Sequence, residues 1–200
     1  MKIKVCGMKH ESNINAVSAL KPDFIGFIFY PKSPRYIGGI GLPDVSASAT
    51  GVFVNESAEN VAKTIDQYYL KAIQLHGNED AAYCAVFKTK VTVFKAFGVD
   101  EHFDFEQLSA FVGNIDYFLF DTKTSKHGGS GQSFEWALLD KYQLEVPFFL
   151  SGGLSLDNLE AVLEIKHPQF VGVDLNSKFE IEPGLKNIDQ LKKAFELIRN

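Results

Sequence analysis

The chain is poor in cysteine and has no excess of positive charge or long apolar run, and each absence removes a class of function. Its two cysteines, Cys6 and Cys84, lie far apart and show no CxxC spacing, so neither a zinc site nor a disulfide framework is expected. Free thiols of this kind fit a reducing cytosol, and cytoplasmic localisation is expected. Lys and Arg number 20 against 25 Asp and Glu, a formal charge of -5, which leaves no basic footprint for nucleic acid. No segment approaches the ~20 consecutive apolar residues that span a bilayer. The start, Met1-Lys2-Ile3-Lys4, lacks the apolar stretch of a signal peptide. No nucleic-acid or membrane partner is therefore expected. Linkers and low-complexity stretches are missing too, so residues 1–200 are read as one domain. The 46% hydrophobic content, with 18 Phe, is enough for a large interior.

What is present is a repeated pattern. Eight apolar runs recur along the chain: Ile3 to Cys6, Phe24 to Tyr30, Thr50 to Val54, Ala72 to His76, Val91 to Phe97, Tyr117 to Asp121, Phe148 to Ser151 and Phe170 to Asn176. Their spacing of about 25 residues is close to the ~30 of a βαβ unit. Strands alternating with helices imply a parallel sheet, and eight units suggest a closed (β/α)8 TIM barrel. An open doubly wound sheet is the alternative, but no GxGxxG follows the first run. Helix starts are signalled at Asn78-Glu79-Asp80 before Ala81 and at Ser155-Leu156-Asp157-Asn158 before the segment Leu159 to Ile165. Ile188, Leu191, Phe195 and Ile198 form a helical stripe suited to the outer wall.

Several residues stand where such a barrel would carry chemistry. Three late loops are suited to an anion: Gly128-Gly129-Ser130-Gly131, Ser151-Gly152-Gly153, and Asn176-Ser177. Glycine lets backbone N–H groups approach a phosphate, although a tight turn is the commoner use of any one such loop. Alternation places Lys4 on the face of Cys6 and Asp174 on the face of Asn176. First and last strands of a closed barrel are neighbours, so Lys4 and Asp174 are expected to pair, unless Lys4 snorkels to solvent. Gln74 and His76 share a face, with His76 at a strand end, either as a substrate group or as a satisfied structural histidine. Arg35, in Ser33-Pro34-Arg35, suits bidentate capture of a carboxylate, whereas an exposed loop arginine is more often simply solvated. Cys6 as a base needs to be a thiolate, which Lys4 would favour, against the plain reading of a packed thiol. Cys84, in the segment Ala81 to Phe87, takes that plain reading. Asp121 closes a Tyr-Phe-Leu-Phe run, where an acid costs desolvation unless the strand end is a polar mouth; the alternative is a loop cap.

The ordered set of fragments resembles the phosphoribosylanthranilate isomerase family. The fragments are Val5-Cys6-Gly7-Met8, Asp23 to Phe29, Ser33-Pro34-Arg35, Gly51 to Asn55, Gln74-Leu75-His76-Gly77, Phe120-Asp121-Thr122, Gly128 to Gly131 with Phe134-Glu135-Trp136, Leu150 to Leu154, Gly172-Val173-Asp174 and Glu182-Pro183-Gly184. They run through essentially the whole chain. The resemblance implies an Amadori rearrangement of N-(5-phospho-β-D-ribosyl)anthranilate in tryptophan biosynthesis. It implies Cys6 as general base, Asp121 as general acid and Arg35 on the anthranilate carboxylate. The loops of Gly129, Gly152-Gly153 and Asn176-Ser177 match its phosphate site, with Gln74, His76 and Asp174 as supporting substrate contacts. The chain departs from the family pattern at Lys178-Phe179, where a small residue and a Val usually precede the Glu, and at Asn187, in place of an Asp, which should affect helix capping more than chemistry.

No cofactor is expected, since no metal cluster or cofactor fingerprint appears and isomerisation needs none. The partner expected is a small phosphosugar, with the protein a monomer or homodimer. Two rivals remain. A histidine-pathway Amadori isomerase would carry a carboxylate where this chain has Cys6, and a barrel serving only as a binding module would have no need of Cys6, Arg35 and Asp121 together.

Overall fold

The computed structural model describes residues 1–122 and 136–200, and every apolar run becomes a strand of one closed barrel. The strands are β1 (Lys2–Val5), β2 (Phe24–Ile28), β3 (Ser48–Phe53), β4 (Ala72–Leu75), β5 (Thr92–Val99), β6 (Tyr117–Thr122), β7 (Phe148–Ser151) and β8 (Phe170–Leu175). They are hydrogen-bonded in chain order, and β1 closes the ring by pairing in parallel with β8. The closed ring excludes the open doubly wound alternative.

The helices lie between strands and after the last: α1 (Glu11–Ser18), α2 (Ala58–Tyr68), α3 (Ala81–Ala85), α4 (Leu159–Leu163) and α5 (Ile188–Arg199). The stripe predicted for α5 is buried at Leu191, Phe195 and Ile198. Asn187 caps this helix, its Oδ1 accepting from Gln190 N at 3.1 Å, so the departure from Asp is absorbed as a neutral cap. Asp80 caps α3 by accepting from Tyr83 N at 2.8 Å. Two helix details differ from expectation. The segment at Leu159 makes only a single short helix, and Asn158, at its N-cap, turns its side chain back to Ser155 N and Gly153 O instead of to the helix. Glu79 does not serve the dipole of α3. Its side chain is buried against Lys95 instead.

Alternation divides the sheet into two environments. Outward residues pack against helices. Inward, Phe24, Phe94, Phe149 and Tyr117 close the N-terminal end as an aromatic plug, with Phe24 edge-on to Phe94 at 5.0 Å. Polar side chains then line the C-terminal half, where Lys4, Gln74 and Asp174 are all buried. The plug leaves the barrel open to ligands only at the end where the strands terminate.

The loops at that end are tied by a second buried charge pair. Lys95 Nζ donates to Gly77 O at 2.7 Å and to Glu79 Oε2 at 3.0 Å, and Glu79 also accepts from Asn55 N and Gly77 N. Burial opposes ionisation of Glu79, but Lys95 and the backbone donors outweigh it and hold its carboxyl below the ordinary value. Removing the ammonium leaves a buried carboxylate unpaired. Lys95→Met is expected to cost about 3–5 kcal/mol and to lower Tm by roughly 10 °C in a calorimetric scan. Adding Glu79→Leu should restore only part of the loss, because it strands the Asn55 and Gly77 N–H donors, and a Lys95→Met melt within about 2 °C of the parent protein would contradict this account.

Candidate active site

Every strand of the barrel but β5 delivers a side chain from its C-terminal end to a common mouth. Cys6 follows β1, Gln74 and His76 come from and follow β4, Asp121 is the penultimate residue of β6, and Asp174 and Asn176 come from and follow β8. These residues, with Ser151-Gly152-Gly153 and Ser177, line one cavity of about 190 Å³. Arg35 does not line it. It stands beside it, with its Cδ 2.6 Å from where a Cβ on Gly7 would lie, so it crosses directly over the residue after Cys6. Gly129 falls outside the described residues.

The thiol is seated by its neighbours. A Cβ at Gly26 would lie 2.6 Å from Cys6 Sγ, so only glycine leaves space for the sulfur at that point of β2. Gly26 O accepts from both Gly7 N and Met8 N, which fixes the turn that carries Cys6 out of the sheet. Lys4 favours the thiolate of Cys6, as expected, but it is not the largest influence on it. Lys4 and Lys186 pull the thiol pKa down, but burial is the larger effect and pushes it above the ordinary value. The thiol form therefore dominates in the ligand-free protein.

Lys4 and Asp174 do pair, Nζ to Oδ2 at 2.7 Å, in β-strand register as neighbours across the barrel seam. Lys4 side-chain exposure is 0%, which rules out snorkelling. Burial opposes its charge, but Asp174 and Cys6 together leave its pKa raised. Burial also raises Asp174, against the pull of Lys4. Asp174 Oδ1, like Gln74 Oε1, is a buried acceptor with no hydrogen-bond partner. Two orphaned acceptors in one polar cavity call for donor groups on whatever enters it.

His76 and Asp121 approach each other at the rim, Nε2 to Oδ2 at 3.7 Å. Gln74 Nε2 stands 2.9 Å from His76 Nδ1. With the amide donating to Nδ1, a neutral ring carries its proton on Nε2 and presents it to Asp121. Burial lowers the His76 pKa more than Asp121 raises it, so the neutral ring is favoured.

Gly152 and Gly153 both adopt left-handed backbone, φ 88° and 65°, a shape glycine takes readily, so the β7 loop can turn its N–H groups toward an anion. Asn176 is turned partly away, its Oδ1 accepting from Lys186 Nζ at 2.8 Å. Among the described residues no group of three or more His, Cys, Asp or Glu is placed to hold a metal ion, and no helix is long and apolar enough to cross a membrane.

Arg35 is not solvated. Its loop is held by Arg35 N donating to Ser33 Oγ at 3.1 Å and by Ile37 N bonding back to Ile28 O at the end of β2. Its guanidinium is gripped by Glu180, a residue that inspection of the sequence did not single out. Lys186 was missed as well. Both belong to a hairpin of β9 (Glu180–Glu182) and β10 (Leu185–Lys186), whose signal was available in Pro183-Gly184 flanked by Glu-Ile-Glu and Leu-Lys.

Comparison with known proteins decides the family. Residues 3–197 match the family model described as N-(5'-phosphoribosyl)anthranilate (PRA) isomerase. The chain belongs to the PRA isomerase family. An N-(5'-phosphoribosyl)anthranilate isomerase from Parabacteroides distasonis is 43% identical over 206 residues, covering 99% of this chain and 93% of that protein. A crystal structure of a phosphoribosyl anthranilate isomerase in complex with reduced 1-(o-carboxyphenylamino)-1-deoxyribulose 5-phosphate superposes with TM-score 0.78 at 28% identity, covering 100% of this chain and 98% of that one. Monomers generated from the dimeric isomerase of Thermotoga maritima give TM-score 0.81 at 27% identity, with the same coverage.

Proposed function

We propose that the mouth of this barrel performs the PRA isomerase reaction with Asp121 as general acid and Cys6 as general base. The chain is a cofactor-free aldose–ketose isomerase of tryptophan biosynthesis, converting N-(5-phospho-β-D-ribosyl)anthranilate to 1-(2-carboxyphenylamino)-1-deoxy-D-ribulose 5-phosphate. The observation that carries the assignment is that Cys6 and Asp121, 115 positions apart by their numbers, line one cavity together with two unpartnered buried acceptors.

In the first step Asp121 gives its proton to the furanose ring oxygen. The C1–O bond breaks, and the anthranilate nitrogen lone pair forms the C1=N bond of an iminium. Cys6 as thiolate then takes the proton from C2, and the electron pair of that C–H bond forms C1=C2 as the iminium nitrogen regains its lone pair. The resulting enolamine tautomerises, losing the hydroxyl proton and gaining one at C1, to give the ketone. His76, neutral and directed at Asp121, orients the acid and stabilises its carboxylate once the proton has gone. Gln74 Oε1 and Asp174 Oδ1 accept from the sugar hydroxyls, which supply the donors these acceptors lack. The phosphate is held by the loops of Gly129, Gly152-Gly153 and Asn176-Ser177, and Arg35 receives the anthranilate carboxylate.

The whole of residues 1–200 acts as one catalytic domain in the cytoplasm, as a monomer or homodimer, with no nucleic-acid or membrane partner. The rival isomerase is disfavoured by Cys6 at the end of β1, where it would need a carboxylate. The binding-module reading keeps no use for a thiol and a carboxyl across one cavity. Freshly prepared phosphoribosylanthranilate should lose its anthranilate fluorescence in proportion to added protein. An unaccelerated decay at micromolar protein would return the binding module to first place.

A further inference from the structure

Arg35 is held by a small, almost dry charge cluster whose carboxylate, Glu180, takes no part in the isomerisation steps. Its Nε donates to Glu180 Oε1 and Oε2 at 2.9 and 3.0 Å, and its Nη2 to Oε2 at 2.5 Å. Glu180 is held in turn by Lys186 Nζ, 2.6 Å from Oε1, and by Gly184 N at 3.1 Å. Lys186 is itself anchored: its backbone exchanges two hydrogen bonds with the side chain of buried Asn13 in α1, at 2.7 and 3.0 Å. The side chains of Lys186 and Glu180 are 0% and 4% exposed, against 19% for Arg35.

Geometry and charge give this arrangement a purpose. A guanidinium has two forks for carboxylates, one made by Nε and Nη2 and the other by Nη1 and Nη2. Glu180 fills the first, and no described residue accepts from Nη1. With the inner fork fixed, the outer fork is immobilised before any ligand arrives, so little rotamer entropy is lost on binding. A lone Glu180 would also cancel the charge of Arg35 and weaken it as a receptor. Lys186 restores the balance: two cations share one carboxylate, and the surplus positive charge is left on the more exposed partner. Burial weakens the charge on Lys186, while the hydrogen bond to Glu180 opposes that loss.

We propose that Glu180 and Lys186 are positioning and specificity-determining residues, a buried clamp that aims Arg35 and leaves the cluster net positive so that the site prefers an N-aryl substrate bearing a carboxylate. The proposal rests on the assignment of Arg35 to that carboxylate. It is tested by the ratio of kcat/KM for phosphoribosylanthranilate to kcat/KM for the same phosphoribosylamine built on aniline, which lacks the carboxylate. A folding defect or a change at Cys6 affects both substrates alike and leaves the ratio unmoved. Glu180→Gln and Lys186→Met are each expected to lower it about tenfold, mainly through KM for the anthranilate substrate, and Arg35→Met to lower it about a hundredfold. If Arg35→Met collapses the ratio while both other variants stay within about twofold of the parent, the clamp is refuted and the assignment of Arg35 survives. An unchanged ratio in Arg35→Met removes the assignment and the clamp with it. Glu180→Asp, with the charge kept but the carboxylate one methylene short, separates aim from charge: a ratio lowered as far as in Glu180→Gln supports positioning, and a parental ratio contradicts it.

Discussion

Asp121→Asn is expected to lower kcat roughly 10²–10⁴-fold while KM changes by less than about threefold. Asparagine keeps the shape of the side chain at the end of β6 and can still face His76, but it has no proton of suitable acidity to give the ring oxygen. Ring opening is the step in which negative charge develops on that oxygen, so the missing proton affects the transition state far more than the bound substrate. His76 sharpens the test. Its Nε2, 3.7 Å from Asp121 Oδ2, is near the acid but makes no short hydrogen bond to it in the ligand-free protein. Removing His76 should therefore cost much less than removing Asp121. A fluorescence assay under single-turnover conditions separates chemistry from product release. Near-parental turnover in Asp121→Asn would move the acid elsewhere, with His76 the first alternative.

The frame of this site was readable in the chain because periodicity is a strong signal and strand ends are where it stops. Eight apolar runs produced eight strands, and alternation alone brought Lys4 and Asp174 to the same side of neighbouring strands, where they pair at 2.7 Å. Geometry could not have supplied the roles of Cys6 and Asp121, which came from family resemblance. Other features were hidden for physical reasons. Glu79 reads as an acid at a helix start, but a buried Lys95 two strand positions past Val93 claims it, and such a pairing depends on tertiary distance. Glu180 and Lys186 lie outside the strand pattern, on a hairpin that reaches Arg35 only by folding back over it. The protonation of Cys6 was likewise not legible: the sequence shows an adjacent cation, whereas the balance is set by burial, which depends on the completed barrel.

That balance governs the second large effect, at Cys6. Cys6→Ser is expected to reduce kcat/KM roughly 10²–10⁴-fold. The hydroxyl fits the space left by Gly26, so binding and stability should be nearly unchanged, but serine is a far weaker acid and supplies almost no anion to take the C2 proton. The pH dependence carries the diagnostic sign. A base works when deprotonated, and burial raises the Cys6 pKa above its ordinary value of 9.0, so the active fraction of the free enzyme grows as pH rises. Because the parent reaction also needs a protonated acid, the thiol limb is isolated in Asp121→Asn, whose residual kcat/KM, which reports the free enzyme, should still be climbing at pH values where an ordinary thiol is half ionised. Within the complex the iminium nitrogen adds a positive charge close to the thiol and lowers its pKa, so the rising limb of kcat should lie at lower pH than that of kcat/KM. Lys4 and Lys186 act in the same direction as that cation, and without them the limb would lie still further toward alkaline pH. A residual kcat/KM profile in Asp121→Asn that is flat from neutral pH into the alkaline range, or a Cys6→Ser protein with parental rates, would show that a group other than this thiol removes the proton. Persistence of the alkaline limb when Cys6→Ser is added to Asp121→Asn would point to the same conclusion by an independent route, because a serine hydroxyl does not titrate in that range.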